Sequence, residues 1–268
     1  MTGAFDAPVL AVDGLRVVRG GRTLVDVDRL EVQAGAFVAI VGPNGAGKSS
    51  VLRAVTGEWA AVGSIDLFGR PLRAWPRLEL ARRLAVMSQS SHLSFEFTVE
   101  EVVTLGRLPH RGESAAHARA AAEAAIAALE LSAQAGRIYT TLSGGERQRV
   151  QFARVLAQLW GSTQPRLLLL DEPTSALDLR QQRAVLDLAW QASREGASVV
   201  AVMHDLNLAA RYADRVCMMS DGVIRARGTP AECFTPSTIL DTFGVHVLTE
   251  LARSDGLPMV LPCAPSSR

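Results

Sequence analysis

The sequence predicts an α/β protein with a mostly parallel sheet, an antiparallel β subdomain at the N-terminus and an inserted α-helical subdomain. Three observations support this fold class. Short apolar runs alternate with helical patterns, and the clearest run, residues 166–171, has four consecutive leucines and ends in Asp171. A glycine-rich loop, residues 42–49, joins another apolar run to a helical segment. Between these two features, residues 90–141 carry mainly helical patterns.

The first strands and the first helix are readable from local patterns. Residues 9–18 and 23–32 alternate apolar and polar side chains around a Gly-Gly pair, which predicts a hairpin. Residues 36–41 have the pattern of a buried strand that enters the glycine-rich loop. Residues 50–55 have the pattern of a helix that leaves the loop.

The length and composition allow one large domain, or a core with a subdomain. The chain has 268 residues and a net charge of +1, which gives no case for nucleic acid as a partner. Cys217, Cys233 and Cys263 lack metal-site or disulfide spacing, which is consistent with a reducing compartment. Residues 1–13 lack the pattern of a signal peptide, and no apolar run approaches the length of a membrane span. We therefore expect a soluble chain whose membrane role would come through a partner.

The glycine-rich loop contains Lys48, the only lysine of the chain. The run fits G-x-x-x-x-G-K-[ST], a loop whose backbone N–H groups cradle phosphates. Lysine is a compact point charge and arginine a planar fork, so a tight cradle requires lysine. Lys48 is predicted to bridge the β- and γ-phosphates of ATP, and the Ser49 hydroxyl to bind Mg²⁺. The alternative is a glycine-rich turn with a surface lysine. The predicted ATP-binding residues are Gly42, Pro43, Asn44, Gly45, Ala46, Gly47, Lys48, Ser49 and Ser50.

The loop and its flanking elements predict a phosphate-loop (P-loop) NTPase core interrupted by a helical insertion. In the insertion, Thr98 is a plausible N-cap, and residues 114–131 form an alanine-rich helix. The predicted boundaries are residues 1–89 and 142–228 for the nucleotide-binding core with its β subdomain, 90–141 for the helical subdomain, and 229–268 for a C-terminal extension.

An acidic pair, Asp171 and Glu172, ends the leucine-rich strand. A carboxylate at the end of a strand beside a phosphate loop is well placed to hold Mg²⁺, and Asp171 is assigned this role. Glu172 is predicted to act on the attacking water as general base. The alternative is an exposed acidic turn that ends the strand.

A second candidate anion site lies at residues 142–146, ahead of a helical segment. Ser143 is a good N-cap, and Gly144 and Gly145 would expose backbone N–H groups. A simple capping turn would explain Ser143 and Glu146 but would leave the two glycines unexplained.

Residues 142–146 resemble the signature motif of the ABC ATPases, and further motifs occur in the order that this family has. Residues 175–178, with Ser175 and Asp178, resemble its D-loop. Gln89 resembles the Q-loop glutamine, and His204 the switch histidine. The resemblance covers nearly the whole chain.

The resemblance implies a head-to-tail homodimer that holds two ATP molecules between its subunits. Ser143, Gly144, Gly145 and Glu146 of one copy would contact the nucleotide held by the other. Gln89 would sense Mg²⁺ and the attacking water, and His204 would contact the γ-phosphate. The metal would be held by Ser49, Gln89 and Asp171, and the catalytic residues would be Glu172, His204 and Gln89. The family often stacks an aromatic residue on adenine, and Arg19 stands at the matching position, where a guanidinium would stack instead.

Within the family, a lone domain without membrane helices resembles the ATPase subunit of an importer. Residues 95–103, 153–160 and 203–209 resemble the group that imports iron siderophores, haem and cobalamin, and the haem importers in particular. This implies haem import, with a ferric siderophore or cobalamin as alternatives. The implied partners are a two-subunit membrane permease and, indirectly, a periplasmic haem-binding protein. The implied location is the cytoplasmic face of the inner membrane.

Two readings of other classes remain beside the importer. One is a soluble ABC ATPase with a regulatory or translation role. The other is a nucleotide-binding module that no longer hydrolyses, which the presence of Glu172, His204 and Gln89 argues against. Phe95 and Phe97 could line a groove for a permease helix, or they could pack inside the helical subdomain.

Overall fold

A computed structural model of the chain describes residues 7–88, 96–252 and 256–263. The chain divides into two compact units. The first comprises Met1–Ala74 and Val200–Arg268, and the second comprises Trp75–Val199. The subdomain boundaries derived from the sequence remain predictions.

The first unit contains the predicted antiparallel hairpin and a small sheet built on it. Gly20 and Gly21 have φ of 57° and 75°, as a tight hairpin turn requires. Valines such as Val12, Val17 and Val25 are fully buried, while their neighbours along each strand are exposed or half-buried, so one face of the hairpin packs inward. The sheet has the order β2-β1-β4-β5, with β1 at Leu10–Arg19, β2 at Arg22–Val32, β4 at Val62–Leu67 and β5 at Arg70–Pro71.

The same unit contains the strand, loop and helix that the glycine-rich sequence predicts. Strand β3 (Phe37–Val41) is buried at every residue, and helix α1 (Lys48–Val55) follows the loop. β3 pairs in parallel with β9 (Arg215–Ser220), which forms a hairpin with β10 (Val223–Gly228). Strand β8 (Ala197–Val202) ends in this unit, where the Met203 N–H donates to the Ile40 carbonyl at 3.0 Å.

The C-terminal part of the first unit contains three short helices and a two-stranded sheet. Pro258 and Pro262 begin and end one strand of that sheet. Both strands of such a sheet are edges, where proline is tolerated because no ladder hydrogen bond is required of it. The elements are α7 (Leu206–Tyr212), α8 (Pro230–Cys233), α9 (Pro236–Phe243), β11 (Val247–Leu251) and β12 (Pro258–Pro262).

The second unit combines a parallel strand pair with a group of helices. Strand β6 (Leu84–Met87) pairs in parallel with β7 (Arg166–Asp171). The predicted N-cap Thr98 accepts the Glu101 N–H at 3.2 Å, and the Glu101 carboxylate accepts the Thr98 N–H at 2.7 Å. The helices are α2 (Arg77–Ala81), α3 (Val99–Thr104), α4 (Ala115–Ala128), α5 (Gly144–Leu159) and α6 (Leu179–Arg194). Helices α3, α4 and α5 pack against one another, and α5 also packs on β6.

Within the ranges that the structure describes, no helix is both long enough and apolar enough to cross a lipid bilayer.

Candidate functional site

The phosphate loop, residues 42–49, joins β3 to α1 and owes its glycines to packing as well as to conformation. Gly42, Gly45 and Gly47 have φ of 155°, 80° and 95°, values that side chains rarely allow. A methyl group on Gly47 would lie 2.6 Å from the Leu24 carbonyl oxygen. A methyl group on Gly42 would overlap the Met219 carbonyl. Strands β2 and β9 therefore press on the loop and hold its backbone in a cradle that only glycine permits.

Lys48 is the first residue of α1 and is 5% exposed. Its Nζ donates to the Gly42 carbonyl at 2.8 Å and to the Pro43 carbonyl at 2.9 Å. The alternative of a surface lysine is therefore wrong. The ammonium is held inside the loop by the loop's own backbone, and it is the positive charge that a phosphate in the cradle would meet.

The other predicted residues of the loop differ in their exposure to solvent. Asn44 and Gly45 form the exposed tip, while Ala46 is buried. Ser49 and Ser50 are half-buried in the first turn of α1. The first turn of a helix presents backbone N–H groups and the positive end of the helix dipole, so an anion bound at the loop meets both.

His204 lies in the first unit, in the segment between β8 and α7. It is exposed. The next residue, Asp205, caps α7: its Oδ1 accepts the N–H groups of Asn207 and Leu208 at 2.8 and 2.9 Å. This cap fixes where the strand-to-helix turn ends, and His204 is held at that turn.

Arg19, the predicted adenine-stacking residue, lies over the ring of Trp59, 4.4 Å from its centroid. Arg53 of α1 also lies 4.8 Å from that centroid. Trp59 follows the C-terminal end of α1, and nothing in the local sequence signals its role. The indole restrains the Arg19 guanidinium through a cation–π contact.

In the second unit, the acidic pair follows β7 as predicted. Asp171 is 5% exposed, at the end of a strand whose leucines are fully buried. Glu172 is half-buried and has φ of 53°, in the left-handed region. A non-glycine residue held there costs about 1–3 kcal/mol, and such strain concentrates at functional positions. The alternative of an exposed acidic turn does not describe a buried Asp171.

The signature turn, residues 143–146, begins α5 with a capping box. Ser143 Oγ accepts the Glu146 N–H at 3.2 Å, and Glu146 Oε2 accepts the Ser143 N–H at 2.8 Å. The hydrogen bond that the Glu146 carboxylate accepts from the Ser143 backbone lowers the pKa of Glu146 below its ordinary value, and the Ser143 side chain acts in the same direction. Gly145 of this turn lies close to the D-loop segment. A methyl group on Gly145 would lie 2.9 Å from the Ala176 carbonyl oxygen, so a glycine is required for this close approach.

The D-loop segment, residues 175–178, joins the acidic pair to α6. Asp178 caps α6, with its Oδ1 accepting the Gln181 N–H at 2.8 Å, and Ser175 is exposed. Gln148, which is not among the predicted site residues, reaches this segment from α5. Its position one helical turn after Gly144 puts it on the same face of α5, but this spacing alone does not distinguish it from the other polar residues of the helix.

The structure places the predicted residues in two groups. The first unit holds the phosphate loop, Arg19 and His204, and the second holds the acidic pair, the signature turn and the D-loop segment. Gln89 and Phe95 lie outside the described residues. Hydroxyl and carboxylate oxygens are the ligands that Mg²⁺ prefers, so Ser49 and Asp171 have the right chemistry for the metal role predicted for them.

The family described as ABC transporter matches residues 25–175, more than half of the chain. The chain is 46% identical over 254 residues to the hemin import ATP-binding protein HmuV of Pseudomonas entomophila, covering 94% of this chain and 99% of the relative. It is 47% identical over 255 residues to the protein of the same name from Deinococcus radiodurans, covering 95% and 97%.

Solved structures of ABC transporter proteins also resemble this chain. A metal-chelate type ABC transporter in an inward-facing conformation has a TM-score of 0.79 and 25% identity, covering 96% of this chain and 98% of that one. The dimeric ATP-binding cassette MJ0796, bound to ADP and Pi, has a TM-score of 0.74 and 26% identity, covering 82% and 98%. These similarities confirm the predicted fold class and the resemblance drawn from the motifs. The chain belongs to the family of ABC transporter ATP-binding proteins.

Proposed function

We propose that this chain is the ATP-hydrolysing subunit of an ABC importer that brings haem across the inner membrane. One observation carries the ATPase part: the chain's only lysine, Lys48, is buried in a phosphate loop that glycines shape. The haem part is supported by identities of 43–47% to hemin import ATP-binding proteins over most of the chain.

ATP binding would begin at the phosphate loop. The N–H groups at the start of α1 and the Lys48 ammonium would meet the β- and γ-phosphates, and Lys48 would exchange its bonds to the carbonyls of Gly42 and Pro43 for phosphate oxygens. Because the cradle is already held by strand packing, binding requires little ordering of the backbone. Arg19, held on Trp59, would offer the other face of its guanidinium to the adenine.

Hydrolysis would use groups that follow the strands. Glu172 would accept a proton from the attacking water, Gln89 would orient that water, and His204 would contact the γ-phosphate. Ser49 and Asp171 would each supply an oxygen ligand to Mg²⁺. When bound, the metal neutralises charge that develops on the phosphate oxygens.

A second copy of the chain would complete each ATP site. The signature turn, Ser143 to Glu146, of which Ser143 and Gly144 are exposed, would contact the nucleotide bound to the partner through Ser143 and the N–H groups of its glycines. The likeness to MJ0796, a dimeric cassette bound to ADP and Pi, supports this arrangement. ATP binding would draw the copies together, and hydrolysis would release them.

The closing and opening of the dimer would drive a two-subunit permease. The chain would sit on the cytoplasmic face of the inner membrane, attached through that permease, and a periplasmic haem-binding protein would deliver the cargo from the other side. Cargo would never contact this subunit, so its identity is inferred from relatives and not from a haem site.

The test is reconstitution of the chain with its permease in lipid vesicles. The haem-binding protein is supplied on the side of the membrane opposite the chain. ATPase activity should rise when haem-loaded binding protein is added, and the Glu172→Gln variant should abolish both the basal and the stimulated rate. Stimulation by a ferric siderophore or cobalamin, but not by haem, would assign the chain to another importer of the group. Copurification with ribosomes and without a permease would instead favour the non-transport class.

A further inference from the structure

The side chain of Gln148 bridges two segments that the proposed mechanism treats separately. It projects from α5, five residues after the N-cap Ser143. Its Nε2 donates to the Glu172 carbonyl at 2.8 Å and lies 3.4 Å from Ser175 Oγ. Its Oε1 accepts the Ala176 N–H at 3.1 Å. Both the nitrogen and the oxygen of the Gln148 amide therefore form hydrogen bonds with the backbone, one at the proposed general base and one in the D-loop segment.

The Glu172 peptide needs such support because its conformation is unfavourable. With φ of 53°, Glu172 stays in the left-handed region only if its surroundings hold it there. The Glu172 carbonyl accepts two N–H groups, one from Gln148 and one from the Ser175 backbone at 3.3 Å. Gln148 thus restrains the backbone from which the proposed base projects.

A second contact connects the same elements. Gly145 of the signature turn approaches Ala176 so closely that a methyl group would lie 2.9 Å from its carbonyl oxygen. The D-loop segment therefore rests on the signature turn through Gly145, while Gln148 bonds to it one turn further along α5. Any shift of the start of α5 must be transmitted to the backbone that follows Glu172.

We infer that Gln148 is a positioning residue that couples the signature turn to the Glu172 of the same subunit. The inference rests on the proposed function, in which the signature turn touches the ATP of the partner site while Glu172 serves its own. When the signature turn closes on the ATP of the partner site, Gln148 would then place Glu172 at the ATP of its own site. Gln148 would link the two ATP sites of the dimer through one side-chain amide.

The test compares Gln148→Met, which keeps the length of the side chain and removes both hydrogen-bonding groups, with Gln191→Met on the exposed face of α6. We expect Gln148→Met to lower kcat about tenfold to a hundredfold, since small displacements of catalytic groups have effects of this size. The KM for ATP should stay within about twofold, because the phosphate loop is untouched. Gln191→Met should resemble wild type.

A second variant, Gln148→Glu, separates positioning from packing. Its carboxylate still accepts the Ala176 N–H but repels the Glu172 carbonyl, whereas the protonated acid donates to it. The ratio of its kcat to that of wild type should therefore rise as the pH is lowered from about 8 to about 5.5, toward the carboxyl pKa. Loss of packing alone would leave this ratio independent of pH.

The dimer supplies the remaining control. In a Glu172→Gln background, Gln148→Met should still form the ATP-trapped dimer, because the Ser143 cap remains. An unchanged kcat in Gln148→Met, or a loss of trapping equal to the loss of kcat, would overturn the inference and leave the proposed function standing. A wild-type chain that binds no ATP would overturn both.

Discussion

Exchanging Lys48 for arginine tests the phosphate loop most directly, because Lys48→Arg keeps the charge and changes only the shape of the group. The ammonium lies 2.8 Å from the Gly42 carbonyl oxygen and 2.9 Å from that of Pro43, in a site that is 5% exposed. A guanidinium is wider and planar, and it cannot occupy this space without pushing the loop backbone outward. We expect the cradle to be lost.

The magnitude follows from ligand linkage. ATP at about a hundred times its dissociation constant stabilises the folded chain by about 2.7 kcal/mol. Each kcal/mol shifts the melting temperature of a chain of this size by about 2–4 °C. Wild type should therefore melt roughly 5–10 °C higher with Mg-ATP than without it. For Lys48→Arg we expect a shift below about 1 °C and a fall in kcat of at least about a hundredfold.

The assay is thermal unfolding of each variant with and without Mg-ATP, beside steady-state ATPase activity. Lys48→Met serves as a second variant that removes the charge and keeps the length. Arg73→Lys, an exchange at an exposed position, should behave as wild type. A full ATP-induced shift and normal turnover in Lys48→Arg would refute the reasoning that the site requires a compact ammonium.

Three further outcomes are expected. Glu172→Gln should bind ATP without hydrolysing it and accumulate as a dimer in size-exclusion chromatography; a monomer at saturating Mg-ATP would contradict its role as base. Ser143→Arg should lose activity, and mixing it with a Lys48 variant should restore at most one working site per dimer, whereas two restored sites would rule out shared sites. Glu113→Gln leaves the buried Arg107 without the carboxylate that its Nη2 contacts at 2.6 Å, so urea unfolding at neutral pH should show a loss of about 3 kcal/mol. Since Arg107 lowers the pKa of Glu113 below its ordinary value, this contribution is present above about pH 4.5, and the difference from wild type should shrink as the pH falls further.

Much of the candidate site was predictable because the residues of each motif are close together in the sequence. The spacing of Gly42, Gly47 and Lys48 predicts a phosphate loop before any fold is known, and Ser143 with Glu146 predicts the cap of α5. Thr98 was identified as an N-cap in the same way. In each case the interacting groups are within a few residues of one another, so local geometry alone specifies the contact.

Contacts between segments that are distant in the sequence could not be predicted from any local pattern. Gln148 is one of several polar residues on α5, and nothing local distinguishes it from its neighbours until the chain folds the acidic pair and the D-loop segment beside it. Trp59 likewise becomes a support for Arg19 only when the hairpin and the end of α1 meet. The strain at Glu172 is also invisible in sequence, since the left-handed conformation is imposed by the packing around it.

The order of residues along this chain was enough to establish its family and fold class and to predict the position of its phosphate cradle, because short motifs encode backbone conformations and ligand types directly. The close contacts at Gly42 and Gly47, the burial of Lys48 and the bridge made by Gln148 arise from segments far apart in the chain. Such pairings depend on which surfaces pack together, and packing is a property of the folded chain and not of any short stretch of it.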